Sequence, residues 1–377
     1  MTLMPLHWLI VFLGLALAAQ GMLYRRWELR RVSYTRTFSK QKLFAGETLE
    51  MTETIGNDKL LPLPWVRLES MMPSALRFGK QQNLEMDVGE LSQNHRSLFA
   101  LKPYTRVIRR HQITCVKRGI YRLDSVTMTA GDPFGVFDAV RRIPLGLELT
   151  VYPSLLSLDQ LPLSTKSWIG DIPVRRWILE DPFWKSGVRP YRPGDTLKSV
   201  HWKATARTNR LQVHKFDYTA DRKLMILVNF ETSDGMWSKV TIPEQVETAL
   251  SYAASIAHAT VKQGMETGVS CNGSQPGHTR GTALTFPPGA GMPHLHRLFE
   301  WLAKLELELT MTFDTFLAQW EPAGDMDYII VTPLPPSRQA EAIANRMRMR
   351  GSAVEWLVLP KPPMKPETQD EEVRHAQ

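Results

Sequence analysis

The side chains best suited to bind a ligand or to react lie between positions 189 and 207, which read RPYRPGDTLKSVHWKATAR. Guanidinium and ammonium groups there are interleaved with Tyr and Trp. Such cations bind carboxylates and phosphates, and the aromatic rings add apolar contact. The segment therefore predicts a surface for an acidic partner or an anion. The candidate binding residues are Arg189, Tyr191, Arg192, Pro193, Gly194, Asp195, Lys198, Trp202, Lys203 and Arg207.

Two roles for this basic segment stay open. The Pro-Gly-Asp turn at 193–195 predicts a helix with Asp195 as its N-cap. In a structural role, the arginines pair with nearby carboxylates such as Asp181 and Asp217, and Trp202 packs into a joint between domains. In a binding role, the same cations face an outside partner.

No catalytic motif accompanies the cations. The chain lacks the G-x-S-x-G elbow, H-E-x-x-H, the P-loop and G-x-G-x-x-G. His294 and His296 are alternate residues of a predicted helix, so they point apart. The two cysteines, Cys115 and Cys271, are predicted to be buried and reduced, which excludes a disulfide framework. The sequence therefore predicts no catalytic residue and no cofactor, and it favours a non-enzymatic role.

Positive charge is concentrated in clusters along the chain. The chain has 377 residues, enough for two domains, and a formal net charge of +8. Besides the basic segment, arginines cluster at 25–31 and at 106–110. Such clusters are typical of surfaces for anionic lipid, nucleic acid or acidic proteins. No RNA-binding signature or zinc-finger pattern is present, so no nucleic-acid partner is predicted.

The first residues predict a membrane anchor. Pro5 to Leu23 carries no formal charge, and nineteen helical residues span about 28 Å, close to the hydrocarbon core of a bilayer. A cleavable signal peptide requires positive charge before its apolar run, whereas here Arg25 and Arg26 follow the run. By the positive-inside rule we expect a single-pass protein of the cell membrane, with the bulk of the chain in the cytoplasm.

Two kinds of hydrophobic pattern follow the predicted anchor. Short alternating stretches such as Thr48 to Ile55, separated by turn residues, predict an antiparallel β-sandwich of immunoglobulin-like form. Later, a buried strand from Leu224 to Val228 precedes a helical stripe from Pro243 to Gly264, and strands and helices alternate up to the strand from Ala353 to Leu359. This alternation predicts an α/β domain with an open, mostly parallel sheet.

The basic segment resembles the signature of the bacterial domain of unknown function 58 family. That signature is roughly R-x-Y-x-P-G-D, a short gap and a basic residue, then I/V-x-W-K-x-x-A-R. Arg189 to Asp195, Lys198 and Val200 to Arg207 match it, and Leu211 to Phe216 resembles its continuation. The stretch RGIYRLDSVTMTAGDPFGVF resembles the end of the β-domain in many members. The resemblance implies a von Willebrand factor A-like fold in the C-terminal half. It also implies partners such as a MoxR-type AAA+ ATPase or a transglutaminase-like membrane protein.

The chain departs from that implied fold at the metal-binding motif. Von Willebrand A domains that bind a divalent cation use D-x-S-x-S after the first strand, where oxygen ligands suit a hard cation. Here Asn229 stands for the Asp, Glu231 stands for the first Ser, and only Ser233 matches. We therefore predict no standard metal site at this position.

Together these features predict a multidomain α+β protein. Its parts are a transmembrane anchor at 1–24, a β-sandwich at 25–155, the signature segment at 156–220, a von Willebrand A-like domain at 221–360 and a disordered tail at 361–377. The predicted role is a membrane-anchored adaptor or scaffold that works with a MoxR-type ATPase in envelope-related assembly. The alternative is an enzyme or regulator that binds an anionic ligand through the basic segment.

Overall fold

The computed structural model describes residues 4–79, 84–88, 92–132, 138–157, 185–191, 200–216, 223–233, 235–236, 239–277, 279, 281–320 and 326–360. The chain divides into two compact units. One comprises Met1–Leu155 with Phe299–Leu305, and the other comprises Leu156–Leu298 with Glu306–Gln377. The predicted tail at 361–377 lies outside the described residues.

The described residues of the first unit include ten strands. They are β1 (Val32–Phe38), β2 (Lys42–Phe44), β3 (Thr48–Asn57), β4 (Leu63–Pro73), β5 (Leu76–Phe78), β6 (Leu84–Val88), β7 (Ser92–Leu101), β8 (Thr105–Cys115), β9 (Gly119–Gly131) and β10 (Asp138–Tyr152). Buried and exposed residues alternate along β1 and β3, as they do in a strand with one face against a core.

These ten strands form two sheets that share one interior. The first sheet has the order β1-β3-β8-β5 and is antiparallel throughout. The second has the order β2-β10-β9-β4-β7-β6, with β2 parallel to β10 and the other pairs antiparallel. Tyr34 and Ile55 of the first sheet belong to the same hydrophobic cluster as Phe99 and Met128 of the second. The two sheets therefore pack against each other through their inner faces.

A helix, α1 (Met4–Trp27), precedes the first sheet. Its run without a polar side chain extends only from Trp8 to Ala19, because Gln20 follows. Those twelve residues rise about 18 Å, against about 30 Å for a hydrocarbon core. Among the residues that the structure describes, no helix is both long and apolar enough to cross a membrane. The predicted transmembrane helix is therefore wrong, and so is the predicted single-pass placement in the cell membrane.

The described residues that follow contain nine further strands and five further helices. The strands are β11 (Lys185–Pro190), β12 (Gln212–Phe216), β13 (Lys223–Val228), β14 (Glu266–Cys271), β15 (Gly273–Ser274), β16 (Leu284–Gly289), β17 (Glu306–Leu309), β18 (Met326–Thr332) and β19 (Val354–Val358). The helices are α2 (Trp202–Thr208), α3 (Pro243–Lys262), α4 (Met292–Ala303), α5 (Phe313–Gln319) and α6 (Arg338–Met349).

The largest sheet of the second unit has five strands in the order β16-β14-β13-β18-β19. Its central strand β13 is buried from Leu224 to Val228 because helices pack on the sheet: Met225 and Leu227 cluster with residues of α5 and α6, and α3 also contacts the strand. The helix α3 begins with Pro243 at its first position, where a backbone N–H would have no acceptor within the helix, so its absence in Pro costs nothing. Small pairs β11–β12 and β15–β17 complete the strand pairing.

The predicted open parallel sheet of von Willebrand A type is wrong, and the described part of the chain is mainly strand. The five-stranded sheet is mixed, since β16 runs antiparallel to its neighbour β14. Parallel neighbours require a crossover of a dozen or more residues, usually helical. The connection from Cys271 to Leu284 is long enough for a crossover, but its described residues form no helix; they contain β15 and the left-handed glycines Gly277 and Gly281, which favour turns.

Candidate functional site

The described residues of the basic segment lie in or beside a two-stranded ribbon of β11 and β12. The backbone N–H of Tyr191 donates to the carbonyl of Leu211 at 2.9 Å, and that of His201 donates to Gln212 at 2.7 Å. The N–H of Gln212 in turn donates to the Thr205 hydroxyl at 3.0 Å. These bonds hold α2 against the start of β12.

Local capping explains where α2 begins and ends. His201 is its N-cap, since its Nδ1 accepts the backbone N–H of Ala204 at 3.0 Å. Asn209 closes the helix in the left-handed conformation, which Asn tolerates. The predicted N-cap, Asp195, lies outside the described residues. Val200 is not helical and forms a β-bridge with Val213, so no single helix runs from Asp195 through α2.

The structure places three predicted binding residues together on α2. None of the seven residues of the helix is buried, and Trp202 is 66% exposed. Lys203 and Arg207 are exposed, four residues apart on the same helical face, while Tyr191 is half-buried. We call Trp202, Lys203 and Arg207 the α2 face. The remaining candidates Arg192, Pro193, Gly194, Asp195 and Lys198, and the side chain of Arg189, lie outside the described residues.

The α2 face is only partly matched to helix stability, because Arg207 in the last turn suits the helix dipole whereas Lys203 in the first turn does not. The first turn contains no acidic residue to complement the helix dipole. Lys203 and Arg207 repel each other across one turn, which costs a few tenths of a kcal/mol. Within the described ranges, no carboxylate forms an ion pair with either side chain. An exposed Trp beside two such cations is a combination that function explains better than stability does.

A second group of polar residues lies where three parallel strands end. The buried side chain of Asn229, after β13, donates from Nδ2 to the Thr332 hydroxyl at 3.1 Å. Its Oδ1 accepts the backbone N–H of Glu231 at 2.9 Å and the amide of Asn272 at 3.3 Å. Asn272 Oδ1 accepts the N–H of Phe230 at 2.8 Å. These bonds tie the ends of β13, β14 and β18 together.

The other two residues of the degenerate metal motif also contact protein groups. Glu231 Oε1 accepts the backbone N–H of Phe313, the first residue of α5, at 3.1 Å. A carboxylate at a helix N-terminus is favourable because the free N–H groups carry partial positive charge. Ser233 Oγ lies 3.5 Å from the hydroxyl of Thr241. The arrangement joins strand ends and a helix start, and its oxygens already serve internal hydrogen bonds.

Sequence reasoning missed two members of this network and the true start of α2. Asn272 follows the buried strand β14 and Thr332 ends the buried strand β18, as Asn229 follows β13, and that repeated position is the available signal. A helix that begins at Asp195 would contain His201, whereas His201 is the N-cap of α2; a side chain that accepts a backbone N–H is typical of a helix start.

Comparison with known proteins bears on the same part of the chain. Residues 187–327 match the family model described as "Protein of unknown function DUF58". The DUF58 match includes the α2 face, β13 and Asn229, and it covers a little over a third of the chain. The "Uncharacterized protein YeaD" of Bacillus subtilis (strain 168) is 24% identical over 299 residues, which are 78% of this chain and 68% of that protein.

Similarities to solved structures are weak. The CARDB domain of PF1109 from Pyrococcus furiosus is 13% identical and matches 32% of this chain and 91% of its own, with a TM-score of 0.20. A cohesin of Archaeoglobus fulgidus is 12% identical over 29% of this chain and 91% of its own, with a TM-score of 0.21. Spo0M of Bacillus subtilis is 12% identical over 33% of this chain and 50% of its own, with a TM-score of 0.20. Scores this low establish no common fold and contribute nothing to a function.

Proposed function

We propose that this chain is a protein-interaction adaptor that binds an acidic partner through the α2 face. The observation that carries the proposal is the 66% exposure of Trp202 on the same short helix as two exposed cations. Trp and Arg are the residues that most often carry binding energy at protein interfaces. A complementary partner offers an apolar pocket for the indole, with carboxylates at its rim.

The local energetics of α2 support a binding role over a purely structural one. A residue that only joined two elements would bury its indole, whereas Trp202 leaves most of its surface in water. Lys203 and Arg207 form no ion pair within the described part of this chain, and in the proposed complex they pair with carboxylates of the partner. Hydrogen bonds from His201 and Thr205 hold α2 against β12, so binding should cost little conformational entropy in the helix.

The partner that we propose is a MoxR-type AAA+ ATPase. This proposal rests on the resemblance of the basic segment to the DUF58 signature and on the complementarity of the α2 face to an acidic surface. No residue of the chain is proposed as catalytic. In this role the protein contributes a rigid, cationic docking face, and the ATPase supplies the chemistry.

The test measures binding of the purified chain to the MoxR-type ATPase encoded in the same genome. We expect Trp202→Ala and Arg207→Glu each to weaken the Kd at least about tenfold, the loss typical of an interface hot spot. The matched control is Arg346→Glu, which reverses an exposed cation on α6. Because α2 buries none of its residues, the variants should keep the circular dichroism and Tm of the parent.

Two results would contradict the proposal. One is an unchanged Kd in both variants while they remain folded. The other is a saturable calorimetric signal with inorganic phosphate alone, lost in Arg207→Glu, in the absence of any binding to the ATPase. That second result would replace the adaptor by a protein that binds an anionic ligand.

A further inference from the structure

Three side chains with metal-ligating atoms meet inside the first unit. Glu53 lies on β3 and His111 on β8, both in the four-stranded sheet, whereas His95 lies on β7 of the six-stranded sheet. Their exposed fractions are 1%, 3% and 0%. The imidazoles and the carboxylate thus meet between the two sheets, in a region that solvent does not reach.

The two carboxylate oxygens of Glu53 have different surroundings. Oε1 accepts the Tyr34 hydroxyl at 2.6 Å and the Arg36 guanidinium at 2.7 Å. Oε2 lies 3.1 Å from Nε2 of His111. Burial opposes ionisation of Glu53, but the hydrogen bond with His111 and the charge of Arg36 together hold the pKa of this carboxyl well below its usual range. Glu53 is therefore a carboxylate, oriented on one side and directed at the imidazoles on the other.

His95 is the unexplained member of this group. Neither of its ring nitrogens has a hydrogen-bond partner among the described residues, although the ring is fully buried. Buried polar groups are almost always paired, so an imidazole with two unpaired nitrogens requires an explanation. Burial lowers the pKa of His95 to about 4, which leaves the ring neutral at neutral pH with a lone pair available.

We propose that Glu53, His95 and His111 bind a zinc-like divalent transition cation between the two sheets. Their ligating atoms all lie within 4.8 Å of one another. Bonds of about 2.0–2.1 Å to a tetrahedral zinc place ligand atoms about 3.3 Å apart, so a small closing movement of the rings completes the site. Two imidazoles and one carboxylate leave a fourth position for water, and neutral imidazole with carboxylate is a ligand set that zinc prefers.

The surroundings resemble the outer shell of a metal centre. Tyr34 and Arg36 orient the carboxylate through Oε1, as hydrogen-bonding partners behind metal ligands do. The Phe78 ring lies 5.0 Å from that of His95 and 6.0 Å from that of His111, measured between centroids. A metal bound at Nε2 of His111 would replace the hydrogen bond of that atom to Glu53, and it requires the tautomer with its proton on Nδ1. The positive charge of Arg36 opposes the cation, and we therefore expect micromolar rather than nanomolar affinity.

The experiment titrates ZnCl₂ into the full chain after chelator treatment and dialysis, near neutral pH, by isothermal calorimetry. We expect one equivalent to bind, and His95→Gln and His111→Gln each to weaken the Kd by at least about tenfold, since even outer partners of a metal cost that much. The control is His296→Gln, which removes an exposed imidazole of α4 and should leave the Kd unchanged. Glu53 is not substituted, because its loss would leave Arg36 buried without its carboxylate.

A second measurement uses only the parent chain, so its result does not depend on whether a substituted chain folds. Co²⁺ added to the parent chain should give the intense visible absorption of a tetrahedral site, and one equivalent of Zn²⁺ should abolish it. Absence of saturable binding up to about 1 mM zinc, an affinity too weak for a resident metal, would overturn the proposal. The proposal would also be overturned if His95→Gln and His111→Gln both fold and bind zinc with the same Kd as the parent chain.

Discussion

At the scale of single residues, the amide of Asn229 does what neither an acid nor an apolar side chain can do. It donates to Thr332 and accepts from Glu231 and Asn272 at one buried point. A carboxylate of the same size keeps the acceptor but loses the donor, and it adds an unpaired charge in a region without water. Buried unsatisfied groups cost about 1–3 kcal/mol, and charged ones cost more.

We accordingly expect Asn229→Asp to lower the free energy of unfolding in urea by about 2–3 kcal/mol. Mg²⁺ should not restore it, because the carboxylate of Glu231 faces the start of α5 and does not complete a cation site. Ser233→Ala is the control, with an expected change within about 0.5 kcal/mol, since its hydroxyl makes only long contacts. Restoration of Asn229→Asp by millimolar Mg²⁺ would show that the strand ends retain a metal site.

At the scale of secondary-structure elements, the reversed edge strand β16 depends on a glycine in its neighbour. The β14–β16 register shifts between Thr267 and Val269, at Gly268. A Cβ on Gly268 would lie 2.7 Å from the carbonyl oxygen of Phe286 and 2.8 Å from the nitrogen of Pro288. Both are backbone atoms, so relief requires the strands to separate rather than a side chain to turn.

Gly268→Ala should therefore destabilise the protein by about 1–3 kcal/mol, the usual cost of overpacking. Amide hydrogen exchange should show the loss of protection first in β14 and β16. Gly79→Ala serves as the control, because its Cβ would meet nothing closer than 3.9 Å and its backbone angle is not left-handed. Equal stability of the two variants would mean that β16 pairs with β14 less closely than the structure shows.

The same elements show how far periodicity predicts a fold. The alternating stretch from Thr48 became β3 (Thr48–Asn57), and the stripe from Pro243 became α3 (Pro243–Lys262). Periodicity succeeds there because it reports which side chains are buried. It does not report which strand pairs with which, or in what direction. The antiparallel edge strand β16 and the parallel contact of β2 with β10 were therefore missed.

A candidate site can be predicted from the sequence when its residues lie close together along the chain. Trp202, Lys203 and Arg207 fall within six positions, so their spacing alone places them on one helix. Glu53, His95 and His111 come from three strands of two sheets, and no motif joins them. Their proximity follows from strand pairing, which the sequence pattern does not specify.

At the scale of the whole molecule, the formal net charge of +8 attracts an acidic partner over a distance, before the two surfaces touch. Summed charge raises association rates, and salt screens it over a Debye length of about 8 Å at physiological ionic strength. The proposed complex should therefore form more slowly as salt increases. We expect the association rate constant to fall about tenfold between low and high salt, with a much smaller change in the dissociation rate constant.

Two charge reversals separate this long-range effect from contact at the α2 face. Arg207→Glu and Arg346→Glu each change the formal charge from +8 to +6, so overall charge alone would slow association similarly in both. Only Arg207 lies on the α2 face, and only its reversal should also raise the dissociation rate constant, because a lost contact acts mainly on dissociation. Stopped-flow association and surface-plasmon dissociation measure the two constants. Equal dissociation rates for the two variants would mean that the basic segment attracts the partner without touching it.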